Sequence, residues 1–459
     1  MTKPMLIRGG ILLSMLDEEV PYDGDLLIEG DRITRIGDRG HFTNLPDGMD
    51  EIDATGCVVM PGLINTHTHT PMTIMRSTSD NLGGPSPDRK PSIPPDQDWR
   101  RDLTPEDIYR SSFLAIAEMI RTGTTTFVDM YHDMDQVAQA VIESGIRAAL
   151  GWEIITFRVD PDEWLPHDEE IARRTFEECA HFASDWHGKG DGRVMALIAP
   201  HETSTCHEPW LSRSAQLAGE LGLGITIHLA EGEMEVEYCA ECYGLTPVEV
   251  AEKAGILNHR VIGAHSLHLT DADIQILAGA DYSAAACLGA YLKMGKTVTP
   301  VPKLLRAGVN VGMGTDSAET NNNLSLWDEI ALNATLHGFL AQDQSLIPAR
   351  EALQMATVYG ARALGMENQL GTLEVGKKAD LIIVDMDRPH LHPWEGALIG
   401  NLVYAANGHD VRDVIIDGKL IMRDRVIETF NEGEIMERAE QSVRKLRERF
   451  GLPHRYHSP

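Results

Sequence analysis

Val58-Val59-Met60-Pro61-Gly62-Leu63-Ile64-Asn65-Thr66-His67-Thr68-His69 is an apolar run that ends in two histidines one residue apart. In a strand, residues i and i+2 share a face. His67 and His69 therefore project side by side from the strand end. Imidazole is the commonest protein metal ligand, and two on one face make half of a tetrahedral site. Working outward, other apolar runs also end in polar, metal-competent residues: His201-Glu202, His228-Leu229-Ala230-Glu231, His265-Ser266-Leu267-His268 and Gly314-Thr315-Asp316. Histidines scattered independently would seldom fall at so many successive strand ends.

The spacing of these runs sets the fold. Strands are expected at Thr124 to Met130, Ile146 to Ile155, Val194 to Ala199, Gly224 to Leu229, Val261 to Ala264, Tyr282 to Cys287 and Val309 to Gly314. Helical stretches such as Ile108 to Thr122 and Trp210 to Leu221 lie between them. With the opening strand this is an α/β pattern of about eight units, which argues a (β/α)8 barrel of the TIM type. The chain ends read as short strands and turns, for example Met5 to Leu12 and Asp25 to Gly37, then Ala379 to Asp385 and Val411 to Ile421. They are expected to meet in one small β-sandwich domain, residues 1–58 with 372–427, around a barrel at 59–371. A charged amphipathic helical tail, 428–459, follows. The Pro- and Gly-rich segment Asn81 to Asp98 cannot be a regular helix; after the first strand it would lie over the barrel mouth as a lid.

The 459 residues suit a large barrel with an added small domain. A hydrophobic content of 42% and a charged content of 24% are those of a soluble globular protein. No stretch reads as a membrane span, and no signal peptide is visible at Met1-Thr2-Lys3-Pro4-Met5, so a cytoplasmic location is expected. The formal net charge of -30 repels nucleic acid and anionic lipid. Neither is an expected partner; a small-molecule substrate is. Six cysteines do not make a disulfide scaffold, and Cys239-Ala240-Glu241-Cys242 is a lone pair best read as helix packing.

Active sites of such barrels collect at the C-terminal strand ends. Neutral imidazoles with one carboxylate suit zinc or ferrous iron. The economical ligand set is His67, His69, His228 and Asp316, for one divalent metal, Zn2+ before Fe2+. A metal brings the pKa of its water from 15.7 to about 7, which is about 12 kcal/mol toward hydroxide at neutral pH. Glu231, just past the strand end, can shuttle a proton to a substrate nitrogen or leaving group. His265 can hold or deprotonate the water, and His201 can hydrogen-bond substrate or simply pack. His268 reads as structural. Gly312-Met313-Gly314 lacks the third glycine of a dinucleotide loop. Its small residues instead let the last strand approach the metal.

Together, Pro61 to His69, His228-Leu229-Ala230-Glu231, Ala264-His265 and Gly314-Thr315-Asp316 resemble the amidohydrolase superfamily. Thr124 to Tyr131, Asn321-Asn322-Asn323-Leu324 and Leu402 to Gly408 are similar to its methylthioadenosine/S-adenosylhomocysteine deaminase branch, with the triazine hydrolases nearby. The resemblance covers nearly the whole chain. It implies a mononuclear metal on His67, His69, His228 and Asp316, because the bridging lysine of two-metal relatives has no counterpart at Ala199-Pro200-His201. It also implies proton transfer by Glu231, His265 and Asp316, substrate binding by His201 and Glu231, and loss of ammonia from an amino-substituted N-heterocycle. Adenosine-like compounds lead, followed by pterins, pyrimidines and triazines. Displacement of chloride, alkylamine or an amide nitrogen is the alternative. A non-catalytic scaffold would predict eroded ligands, and all four are present. Relatives are often dimers or tetramers, so the resemblance allows a homo-oligomer. The chain departs from that branch at the Pro-rich segment, at Ala290-Tyr291-Leu292-Lys293 and at Ser317.

Overall fold

The computed structural model describes residues 3–17, 19–42, 45, 48–77, 103–157 and 166–449. The Pro-rich segment Asn81 to Asp98, expected as a lid, lies outside the described residues. The opening apolar run is two strands, not one. Strands β1 (Met5–Leu12), β2 (Tyr22–Glu29), β3 (Arg32–Asp38), β4 (Asp50–Asp53) and β5 (Cys57–Pro61) precede a break at Gly62. Eight parallel strands then close a barrel: β6 (Leu63–Thr68), β7 (Thr124–Tyr131), β8 (Arg147–Ile154), β9 (Val194–Pro200), β10 (Ile225–Leu229), β11 (Val261–His265), β12 (Tyr282–Ala286) and β13 (Asn310–Met313). The (β/α)8 architecture expected from the alternation is the one observed. The ring closes where Met313 of β13 pairs with Asn65 of β6.

The chain ends meet in a second sheet. It holds β1 to β5 together with β14 (Leu381–Asp385), β15 (Val411–Ile416), β16 (Lys419–Arg423) and β17 (Val426–Ile427). β5 pairs along its whole length with β14, from Cys57 opposite Asp385 to Pro61 opposite Leu381. Residues 59–61 therefore pair in the chain-end sheet, three residues past the 58/59 boundary drawn from sequence. Side chains alternate between two cores, as the two-residue strand period requires. Val58, Met60, Ile382 and Val384 face the main core. Cys57, Val59, Leu381 and Ile383 face a smaller core of the sheet itself. Backbone bonds from Ile33 to Lys377 and from Ala379 to Asp31 fold the sheet over that smaller core.

A buried ion network fastens the two sheets. Arg147, at the start of β8, donates to Asp380 at 3.0 and 3.2 Å and to Asp417 at 2.8 Å. Lys378 donates to the same Asp417 oxygen at 2.7 Å. Arg147, Asp380 and Asp417 have side chains exposed by only 1%, 2% and 4%. Removing one member strands the others' charge in the interior. Arg147→Met is therefore expected to destabilise the protein by about 3–5 kcal/mol, read as a lower urea midpoint. An unchanged midpoint would show that the network contributes nothing.

The charged tail forms the helix Glu432–Arg449. Its buried stripe of Ile435, Ala439, Ser442 and Leu446 follows helical spacing. The helix packs on the helix Pro105–Arg121, and Arg121 pairs with Glu432 at its start. Cys239 is buried on the helix Glu233–Tyr243, and Cys242 is exposed. Among the described residues no helix is long and apolar enough to cross a membrane.

Candidate metal centre

The C-terminal ends of the barrel strands bring the expected residues together. His67 closes β6 and is fully buried. His69 stands two residues on, and its Nδ1 lies 2.7 Å from the carbonyl of Met130 on β7. His228 is on β10, with Nδ1 2.9 Å from the carbonyl of His201. Each of these two carbonyls takes a ring proton from Nδ1. That fixes the tautomer and leaves Nε2 as a bare acceptor. The two bare nitrogens face each other at 3.2 Å. Both Nδ1 and Nε2 of His67 are buried without a hydrogen-bond partner. Asp316 Oδ1 lies 3.9 Å from His67 Nε2 and 3.7 Å from His69 Nε2.

These donors fit a divalent cation. Lone pairs do not gather in a dry site without a positive charge between them. His67, His69 and His228 each offer one nitrogen within a cluster 4.8 Å across. Their protonation states agree. Burial, then the neighbouring rings, holds His67 well below the usual imidazole range and His228 down to about 4. They are neutral at pH 7, as ligation requires. Burial pushes the Asp316 carboxyl up, although His265 opposes it.

Backbone strain helps aim the site. Ala230, His265 and Asp316 take left-handed conformations, with φ of +53°, +75° and +59°. Such residues cost about 1–3 kcal/mol each and persist where surrounding bonds hold them. Here the N–H groups of Thr315 and Asp316 both donate to the His67 carbonyl. Those of Leu267 and His268 both donate to the Ala230 carbonyl. Asn65 binds the Thr315 hydroxyl and backbone N–H, tying β6 to the Asp316 loop. Gly314 permits this closeness, because a Cβ there would sit 2.8 Å from the His67 Cβ.

Glu231 and His265 lie on the rim of the cluster. Glu231 Oε2 is 3.5 Å from His265 Nε2, and Glu231 Oε1 is 2.6 Å from Lys296 Nζ. Burial pushes the pKa of the Glu231 carboxyl up, but His265, His228 and Lys296 outweigh it and hold the group well below its usual range. His265 Nδ1 lies 3.1 Å from the Tyr291 hydroxyl. His201 stacks edge-on to His228 at 4.7 Å between centroids, and its Nδ1 meets Thr205 Oγ1 at 2.7 Å. Sequence reasoning missed Lys296, Tyr291 and Glu235. Glu235 is buried and accepts from the Glu231 N–H at 2.9 Å and from the Thr203 hydroxyl at 2.5 Å. Its one-turn spacing from Glu231 was the available signal. Burial, then Glu202, keeps its carboxyl well above the usual range.

The amidohydrolase family model matches residues 58–421. A 5-methylthioadenosine/S-adenosylhomocysteine deaminase of Moorella thermoacetica is 42% identical over 433 residues, 92% of this chain and 95% of that protein. An adenosine deaminase from Xanthomonas campestris, solved with bound zinc, superposes with a TM-score of 0.84 at 28% identity, covering 97% of this chain and 98% of its own. The zinc complex of an atrazine chlorohydrolase from Arthrobacter aurescens TC1 superposes with a TM-score of 0.85 at 23% identity, covering 96% and 100%. That last likeness speaks for the fold.

Proposed function

The chain belongs to the amidohydrolase family, and from that membership we propose that it is a zinc-dependent aminohydrolase that removes the exocyclic amino group of an N-heterocycle. The observation that carries this reading is the Glu231–His265 pair at 3.5 Å on the rim of the His67, His69, His228 and Asp316 cluster. A carboxylate and an imidazole stand there beside a site suited to one divalent ion. Zinc is favoured over iron by the donor set and by the zinc in the Xanthomonas protein. What a bound ion supplies is Lewis acidity toward a ligated water.

The chain's own residues do the rest. His69 and His228 are oriented by the carbonyls of Met130 and His201. Asp316 and His265 receive the proton that water gives up on attack at the ring carbon. Glu231, held ionised by its neighbours, takes the second water proton and carries it to the adjacent ring nitrogen. The carbon–nitrogen bond then breaks, and the exocyclic nitrogen leaves as ammonia with the proton that Asp316 and His265 return. His201, held by Thr205 and stacked edge-on to His228, contacts substrate. Glu231 also binds the substrate ring edge.

The substrate class follows from the relatives' names. We place 5-methylthioadenosine and S-adenosylhomocysteine first, then other adenosine-like compounds, with pterins, pyrimidines and triazines after them. The test is ammonia release by zinc-loaded and iron-loaded protein from 5-methylthioadenosine, S-adenosylhomocysteine, adenosine, guanine, cytosine, pterin and aminotriazines. Turnover is expected with a nucleoside and with the zinc form. Silence across the panel from metal-replete protein would overturn deamination and move the reading to chloride or alkylamine displacement.

A further inference from the structure

We propose that the segment Tyr291–Lys296, which follows β12, is the positioning element for the proton-transfer pair, Lys296 acting on Glu231 and Tyr291 on His265. It rests on the reading of those two groups given above. Glu231 sits on a loop past the end of β10, with its side chain 24% exposed. A loop carboxylate left to itself samples many rotamers. Lys296 Nζ holds one of its oxygens at 2.6 Å, and the other faces His265 Nε2 at 3.5 Å.

The His265 ring is held from its far side. The Tyr291 hydroxyl lies 3.1 Å from His265 Nδ1 and accepts the Cys287 N–H at 3.1 Å. Tyr291 is fully buried, so that anchor does not drift. The two anchors are one piece of chain. The Lys296 N–H donates to the Tyr291 carbonyl at 3.0 Å, and Gly295 makes the turn between them at φ +69°. Lys293 ties the same segment to the Asp316 loop through the Glu319 carbonyl at 2.7 Å. The separation of Glu231 from His265 is thus set by these six residues, the last turn of the helix Leu288–Met294 and its cap, rather than by either side chain's own loop.

Electrostatics gives Lys296 a second reason to be there. Glu202 and Glu235 crowd Glu231, and burial drives the carboxyls of both upward, Glu202 to about 7. Lys296 is the ammonium that the described residues bring to this group of carboxylates.

Lys296 is one-third exposed, so its replacement leaves the core intact. The experiment uses zinc-loaded full-length protein with 5-methylthioadenosine as probe, and crystal structures of the same variants. Lys296→Met is expected to lower kcat roughly tenfold or more with KM within about threefold, and Lys296→Arg to recover most of the loss. In a Glu231→Gln background, Lys296→Met should cost nothing further. In its crystal structure the Glu231 carboxylate should leave His265. Tyr291→Phe should lower kcat in the same manner. Wild-type turnover by Lys296→Met, or an equal loss in both backgrounds, would overturn the proposal. So would a Glu231 that keeps its place in the Lys296→Met crystal. Full activity of Glu231→Gln alone would instead sink the proton-transfer reading. A wild type inert to the probe would sink the substrate reading, and the crystallographic comparison would then decide the positioning role.

Discussion

Asp316→Ala and His228→Ala are expected to lose bound metal and turnover together. Each removes a donor that the fold has already dehydrated and aimed. Asp316 supplies the negative charge of the cluster, at 3.9 and 3.7 Å from two imidazoles. Without it, three neutral rings remain, and affinity for a divalent ion falls. His228 supplies the nitrogen that faces His69 at 3.2 Å. Loss of metal removes the acidification of water, which is worth several kcal/mol of barrier. A fall in turnover on the order of 10³-fold or more follows. The checks are zinc content after dialysis and ammonia release. Retained metal with near-normal turnover in either variant would remove that residue from the centre. Circular dichroism unchanged from wild type would show that the loss is not unfolding.

Glu231→Gln is expected to separate metal from chemistry. The amide has the shape of the carboxyl but cannot take up and deliver a proton. The ligands lie elsewhere, so zinc content should stay at the wild-type level. Turnover should fall roughly 10²-fold or more, the usual size of general acid–base help. The Lys296 ammonium, at 2.6 Å from Glu231 Oε1, would still find an acceptor in the amide oxygen, so the local fold should survive. A loss of less than about threefold would make Glu231 a bystander, and loss of zinc would make it a ligand.

The candidate site was legible because a parallel barrel buries its strands on both faces and keeps polar side chains for the strand ends. His67, His228, His265 and Asp316 stand out against apolar runs for that reason. The helix Trp210–Leu221 was legible by its period. What stayed hidden depends on contacts across loops. Lys296 meets Glu231 over 65 positions of sequence, and Arg147 meets Asp380 over 233. A lysine in a loop and an arginine at a strand start look like ordinary surface residues until the partner is in place. The division of the opening run was hidden for another reason. Val58 to Ile64 is apolar on both sides of Gly62 because β5 and β6 are both fully buried. No change of period marks where one sheet hands the chain to the other.

That hand-over at Gly62 has a consequence for synthesis. β5 leaves the ribosome early, but its neighbour β14 is made only after all eight barrel strands, since Val58 pairs with Val384. For most of translation an apolar strand has an open edge, the kind of surface that invites mispairing and chaperone capture. The barrel is equally late, because β6 must wait for β13. Long-range closures of this kind slow folding. The proposed donors of the metal centre span His67 to Asp316, so an ion that arrived early would meet only the His67–His69 pair. With that donor set, metallation would be a proofreading step, strong only in a chain whose barrel has already closed.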